Sequence, residues 1–241
     1  MLEKLKYKKN EIYTYNRNYL ELGKNIVDNN LVIEKVLKDT KRNYVCVILY
    51  KEKKYILKEP RNEYIIPQRK IFSIFKKGES VTTLVNLNYL INIKKIENYS
   101  EPLLAVIKRK HGMICFSALI MEYIEENKKN QINLNEIVKL GEKIHLLGRY
   151  HGDFNPSNFI LSNKNEIKII DTQGKRMLFG NYRAHYDMLT MKIDSYNEME
   201  YPYKKNVYYY VALVIKKIKK NKFIIKIKNF KRNLREKGWR I

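Results

Sequence analysis

Between residues 31 and 123 the chain alternates short apolar runs with polar turns, which is the signature of strands separated by tight connections. The runs at 31–37, 44–50 and 54–58 are rich in β-branched and aromatic residues, and 39–43 and 51–53 are polar turns between them. Pro60 ends the third run, since proline cannot donate to a ladder. Residues 71–96 take a mostly helical period with a break at Lys77-Gly78. Strands are expected again at 103–108 and 114–123, joined through His111-Gly112. The polar stretch 125–133 is the expected linker.

Beyond the linker the period changes. Leu134, Ile137, Gly141, Ile144 and Leu147 fall on one face of a helix that runs into His151. Short strands are expected at 158–161 and 167–170 around an Asn163-Lys164-Asn165 turn, and helix over 182–241. The pattern predicts an α+β chain in two lobes. Residues 1–124 would form an antiparallel five-stranded sheet plus a helix, and 125–241 a mainly helical half. Five strands followed by helices is the order of a protein-kinase-like bilobal fold.

Composition narrows the setting. The 241 residues carry 49 basic and 25 acidic side chains, a net charge of +24. Such a chain is drawn to polyanions, and nucleic acid, an anionic membrane surface and a phosphorylated glycolipid all qualify. Cys46 and Cys115 lie in apolar strand-like runs and read as buried thiols in a reducing compartment, not as a disulfide framework. Residues 1–30 are charged and polar, without the apolar core of a signal peptide. The longest apolar run, 207–215, falls short of the roughly 20 residues that span a bilayer. A cytoplasmic or peripheral protein is expected.

The candidate chemistry lies in His151-Gly-Asp153-Phe-Asn-Pro-Ser-Asn158, followed by a strand and Asp171. Asp153 can accept a proton from an attacking hydroxyl, while Asn158 and Asp171 can hold Mg²⁺ on a nucleoside triphosphate. On the third strand, Ile56 and Lys58 share a face by the two-residue period, so Lys58 can reach the α and β phosphates while Ile56 packs on the base. Glu79, opening the longer helix, is the chosen partner for Lys58, with Glu63 as the alternative. A glycine-rich phosphate loop is missing, because no glycine occurs between Gly23 and Gly78. The turn 39–43 would have to cover the phosphates instead. After Asp171 the chain reads Thr-Gln-Gly-Lys175-Arg176, without the long regulated segment of protein kinases. Lys175 and Arg176 are either surface charge or a clamp for an anionic substrate. Asp187 either braces the catalytic loop or sits on a helix surface.

The end of the chain is basic and amphipathic. Val207, Val211, Val214, Ile215 and Ile218 make one helical face, expected to close the core of the helical half. Phe223, Ile227, Phe230 and Leu234 make another, and 223–241 is expected on an anionic membrane, where each nearby charge adds roughly 1 kcal/mol.

The run from Tyr150 to Leu161, with Ile167-Lys-Ile-Ile-Asp-Thr-Gln-Gly-Lys-Arg176, resembles the lipopolysaccharide core heptose (II) kinases. Their motif is similar to H-G-D-x-x-x-x-N-F-I followed by I-D-x-x-G-K-R. The resemblance extends from about residue 30 onward and is strongest across 150–176. It implies ATP- and Mg²⁺-dependent phosphorylation of an inner-core heptose at the cytoplasmic face of the inner membrane. Asp153 would be the base, Asn158 and Asp171 the magnesium ligands, and Lys58 the phosphate anchor. The implied partners are the lipopolysaccharide core and an anionic membrane surface, with no nucleic acid. Two other readings are a small atypical protein kinase linked to RNA modification and a non-catalytic kinase-like module that binds membrane or nucleic acid. Asp171 is followed by Thr172-Gln173-Gly174 and not by the Phe-Gly such enzymes usually keep, which speaks against the first.

Overall fold

The structure is a computed structural model, and it describes residues 1–127, 130, 132–196, 198–221, 226, 229 and 230. It is α+β and divides into two compact units, Met1–Ile124 and Glu125–Ile241.

The first unit contains β1 (Glu3–Tyr7), β2 (Asn10–Thr14), α1 (Leu20–Val27), β3 (Val32–Asp39), β4 (Tyr44–Tyr50) and β5 (Lys53–Glu59). It continues with α2 (Asn62–Ile65), α3 (Pro67–Phe72), α4 (Glu79–Asn88), β6 (Pro102–Lys110) and β7 (Met113–Glu122). Its strands make one antiparallel seven-stranded sheet in the order β1-β2-β6-β7-β5-β4-β3. The expected five strands are present, and β1 and β2 add a hairpin within the charged and polar residues 1–30, where no strand is expected.

The sheet is covered on both faces where β6 crosses it. Leu104 and Val106 join Ile12, Ile48 and Ile120 in a core shared with Leu22 and Ile26 of α1. On the alternate face Ser117 of β7 is hydrogen-bonded to Ser80 of α4 at 2.7 Å, beside buried Val81 and Leu84. Each fully buried Leu or Ile contributes about 1.5–3 kcal/mol, which holds an eight-residue helix such as α1 that would not persist alone. Cys46 is buried in β4, but Cys115 is only half-buried, its thiol donating to the Lys108 carbonyl at 3.4 Å.

The second unit contains α5 (Leu134–Leu146), β8 (Arg149–Tyr150), β9 (Phe159–Leu161), β10 (Ile167–Ile169), β11 (Lys175–Arg176), α6 (Tyr182–Asp194) and α7 (Val207–Lys220). β9 pairs with β10 and β8 with β11, both antiparallel. The start of the expected linker is tied down: Asn127 N–H donates to the Leu161 carbonyl at 2.7 Å, and Asn163 N–H to that of Glu125 at 3.0 Å.

Two expectations for 182–241 are corrected. One helix ends at Asp194 and the next begins at Val207, and between them Pro202 lies between Tyr201 and Tyr203, whose hydroxyls are bonded to His185 and His145. The apolar face of α7 does not close the core. Val207, Val211, Val214 and Ile218 are exposed and Ile215 is half-buried, while the helix turns Ala212 and Lys216 inward. Burial of Lys216 is made possible by Asp194 Oδ2 at 2.6 Å and Thr190 Oγ1 at 3.2 Å. The expected membrane-binding segment 223–241 lies outside the described residues, apart from Lys226, Asn229 and Phe230.

Candidate active site

The loop from His151 to Asn158 follows β8 and is held from beneath by α6. Asp187 is buried in that helix, and its carboxylate accepts from His151 N–H at 2.7 Å and Gly152 N–H at 3.0 Å. His145 of α5 also meets Asp187 Oδ2, through Nε2 at 3.2 Å, and Tyr203 Oη lies 2.7 Å from its Nδ1. A carboxylate can only accept, so Nε2 carries the proton and Nδ1 accepts from the Tyr203 hydroxyl. Burial pushes the Tyr203 phenol well above its ordinary range, which keeps this donor protonated. Asp187 thus braces the loop, and the helix-surface alternative is excluded.

The His151 ring is similarly fixed. Its Nδ1 accepts from Asp153 N–H at 3.3 Å, so Nε2 donates to the Ile170 carbonyl at 3.1 Å. Burial holds His151 below the ordinary histidine range, opposed chiefly by the charge of Asp187. The ring is therefore a neutral strut joining the loop to the chain just before Asp171. Phe154, fully buried, packs edge-on against Phe159 with centroids 5.0 Å apart and against His151 at 6.0 Å. Gly152 has φ of 93°, a conformation that favours glycine and lets the chain turn between the two donors to Asp187 and exposed Asp153.

The structure brings Asp153 and Asn158 together. Asn158 Nδ2 donates to the Asp153 carbonyl at 2.7 Å and approaches Asp153 Oδ2 at 3.4 Å. With its nitrogen turned to Asp153, the amide oxygen of buried Asn158 is the atom suited to a metal ion. The Asn158 carbonyl accepts from Ile170 N–H at 3.0 Å, which sets the chain immediately before Asp171 beside the loop. Asp171 itself is exposed, at φ of 54°. No group of three or more His, Cys, Asp or Glu side chains fit for a metal occurs among the described residues.

Lys175 and Arg176 form β11, where Lys175 stands opposite Tyr150 and Arg176 opposite Arg149, and both side chains are exposed. Two side chains, Arg149 and Thr172, hold this stretch. Buried Arg149 donates to the Gly174 carbonyl at 2.8 Å. Thr172 Oγ1 donates to the His151 carbonyl and accepts from Gly174 N–H, each at 3.2 Å. His145, which the motif does not include, shares the buried face of α5 with Ile137, Gly141 and Ile144, and a histidine on that face is the signal that marks it.

In the first unit, Ile56 and Lys58 are half-buried on one face of β5, opposite Val47 and Val45 of β4. Glu79 opens α4, half-buried. Glu63 is buried in α2, and its Oε1 accepts from Glu79 N–H at 2.7 Å, capping α4. Burial pushes the Glu63 carboxyl up, against the lowering effect of that bond.

No protein-family model matches the chain, and no curated protein matches it. No helix among the described residues is long and apolar enough to cross a membrane.

Proposed function

We propose that the chain is a phosphotransferase of protein-kinase-like architecture that moves the γ-phosphoryl group of ATP to a heptose hydroxyl of the lipopolysaccharide inner core. The observation that carries the transfer chemistry is the loop 151–158, with two backbone N–H groups anchored on Asp187 and Asp153 held against Asn158. Catalysis of phosphoryl transfer is mostly positioning and charge stabilisation, and a rigid loop presenting one exposed carboxylate meets the first requirement.

In the proposed reaction Asp153 Oδ1 takes the proton of the acceptor hydroxyl as its oxygen bonds to the γ-phosphorus and the bond to the ADP oxygen breaks. Asn158, through its amide oxygen, and Asp171 are the residues that would hold Mg²⁺, which supplies charge neutralisation on the phosphates. Lys58 anchors the α and β phosphates, Glu79 holds Lys58, and Ile56 packs on the base. Lys175 and Arg176 steady the anionic acceptor. The acceptor class comes from the resemblance of 150–176, and a net charge of +24 supports a polyanionic substrate at a membrane surface.

The test is Mg²⁺-dependent ATP consumption by the purified chain and by Asp153→Asn. Loss of a general base typically costs about 10²–10⁴-fold, so the variant should fall to near background with an unchanged melting temperature. A wild-type chain that neither binds nor consumes ATP would leave a non-catalytic binding module in its place.

A further inference from the structure

The segment from α3 to Lys77 is turned inside out relative to an ordinary surface helix. Ser73, its small polar residue, is 1% exposed, whereas Ile71, Phe72, Ile74 and Phe75 are 56%, 59%, 46% and 83% exposed. Ile65, close before it, is also exposed.

This is not a frayed stretch. Ser73 Oγ donates to the Lys70 carbonyl at 2.5 Å and accepts from Ile114 N–H at 2.9 Å. Arg109 of β6 donates to the carbonyls of Ser73 at 2.9 Å, Lys76 at 2.6 Å and Gly112 at 2.8 Å. One guanidinium therefore ties the segment to the β6–β7 turn and uses polar contacts that would otherwise face water. The apolar side chains are held outward by inward hydrogen bonds.

The surroundings state what chemistry would cover them. Between Tyr64 and Gly78 there is no acidic residue, and Arg69, Lys70, Lys76 and Lys77 flank the apolar group. Lys108, Lys110 and His111 of the adjoining strand end and turn are exposed. Apolar side chains ringed by cations match the boundary of an anionic bilayer, with rings at the acyl level and ammonium groups among phosphates. A second copy of the chain is a poor cover, since it would set the same cations against each other. We infer that Ile71, Phe72, Ile74 and Phe75, with Arg69, Lys70, Lys76 and Lys77, form a docking face for anionic phospholipid, separate from the basic segment 223–241. This inference needs no catalysis and stands if the kinase reading fails.

The test uses the full chain with its single tryptophan, Trp239, changed to Phe and a reporter placed by Phe75→Trp. Mixed with vesicles of phosphatidylglycerol and phosphatidylcholine, the reporter should shift to the blue and be quenched by brominated acyl chains. Pure phosphatidylcholine should give little of either. In co-sedimentation, Phe72→Ser/Phe75→Ser should lower partitioning to the anionic vesicles by about tenfold, and Lys76→Gln/Lys77→Gln should lower it by a similar factor. All four positions are exposed, so melting temperatures should hold. An unshifted tryptophan with vesicles bound would place the membrane contact elsewhere and overturn the proposal. So would a dimer in sedimentation equilibrium that Phe72→Ser/Phe75→Ser dissolves, because the face would then be a protein interface.

Discussion

A carboxylate removed from water must be matched by donors, and Asp187 has three: the N–H groups of His151 and Gly152 and the imidazole of His145. Replacing it with Ala would leave these groups facing one another without an acceptor, at about 1–3 kcal/mol for each one left unsatisfied. Asp187→Ala should therefore unfold several degrees earlier in a thermal melt, and Asp187→Asn should lose activity before it loses fold. An Asp187→Ala variant with wild-type melting would contradict the bracing role. The sequence allowed Asp187 this role but could not choose it, because nothing in a helical period reveals which polar side chain faces the loop. Asp153 and Asn158 could be picked out by their spacing as a base and a metal ligand, whereas the hydrogen bond from Asn158 Nδ2 to the Asp153 carbonyl is seen only in the fold.

His151 gives the fold a pH signature. Its folded pKa lies below the ordinary 6.5, so between the two values the unfolded chain binds more protons. The stability of the neutral strut is fully present above that ordinary value and is lost as pH falls toward the lowered one. His185, fully buried and also held low by burial, adds a loss of the same sign. Melting temperature should fall on acidification from about pH 7.5 to pH 5, and His151→Gln should flatten part of the slope. An equally steep slope in the variant would assign the effect to other groups.

At the scale of elements, α5 comes close to the loop because it lacks a side chain where Phe154 lies. A Cβ on Gly141 would sit 2.6 Å from Phe154 Cζ and 2.8 Å from Met188 Cε. Both neighbours are fully buried, so Gly141→Ala must displace the phenylalanine or the helix. The expected cost is about 1–3 kcal/mol of stability by denaturant titration, with a drop in activity, since Phe154 carries the loop. A neutral or stabilising Gly141→Ala would show that the loop tolerates the shift.

Turn chemistry decides which strands the sequence announces. The β6–β7 hairpin turns on His111-Gly112, both at positive φ, and a glycine there is a readable signal. The β1–β2 and β4–β5 turns use Lys8-Lys9 and Lys51-Glu52 in the same conformation. Residues 51–53 were legible because the strongly apolar run 44–50 precedes them and Tyr55-Ile56-Leu57 follows. β1 and β2 were not, because Glu3, Lys4, Lys6 and Glu11 dilute the alternation and Lys-Lys carries no turn chemistry. The seven-stranded sheet in place of five follows from that. The face of α7 misled for a different reason. Periodicity shows that an apolar stripe exists, and only packing shows that Ala212 and Lys216 are turned inward in its place.

At the scale of the whole chain, charge is the dominant quantity. A surplus of 24 positive charges is carried with few acidic partners in 201–241, where Glu236 is the only one. Association with any polyanion should weaken steeply as salt rises, whereas the apolar contribution of Phe72 and Phe75 should persist. The central claim is nonetheless chemical, that this basic chain places a phosphate on a glycolipid sugar. It is tested most directly by mass spectrometry of the lipopolysaccharide core from cells lacking the gene, complemented with wild type or with Asp153→Asn. The account predicts a core lighter by one phosphate that only the wild-type chain restores. A core of unchanged mass in the deletion strain would contradict it.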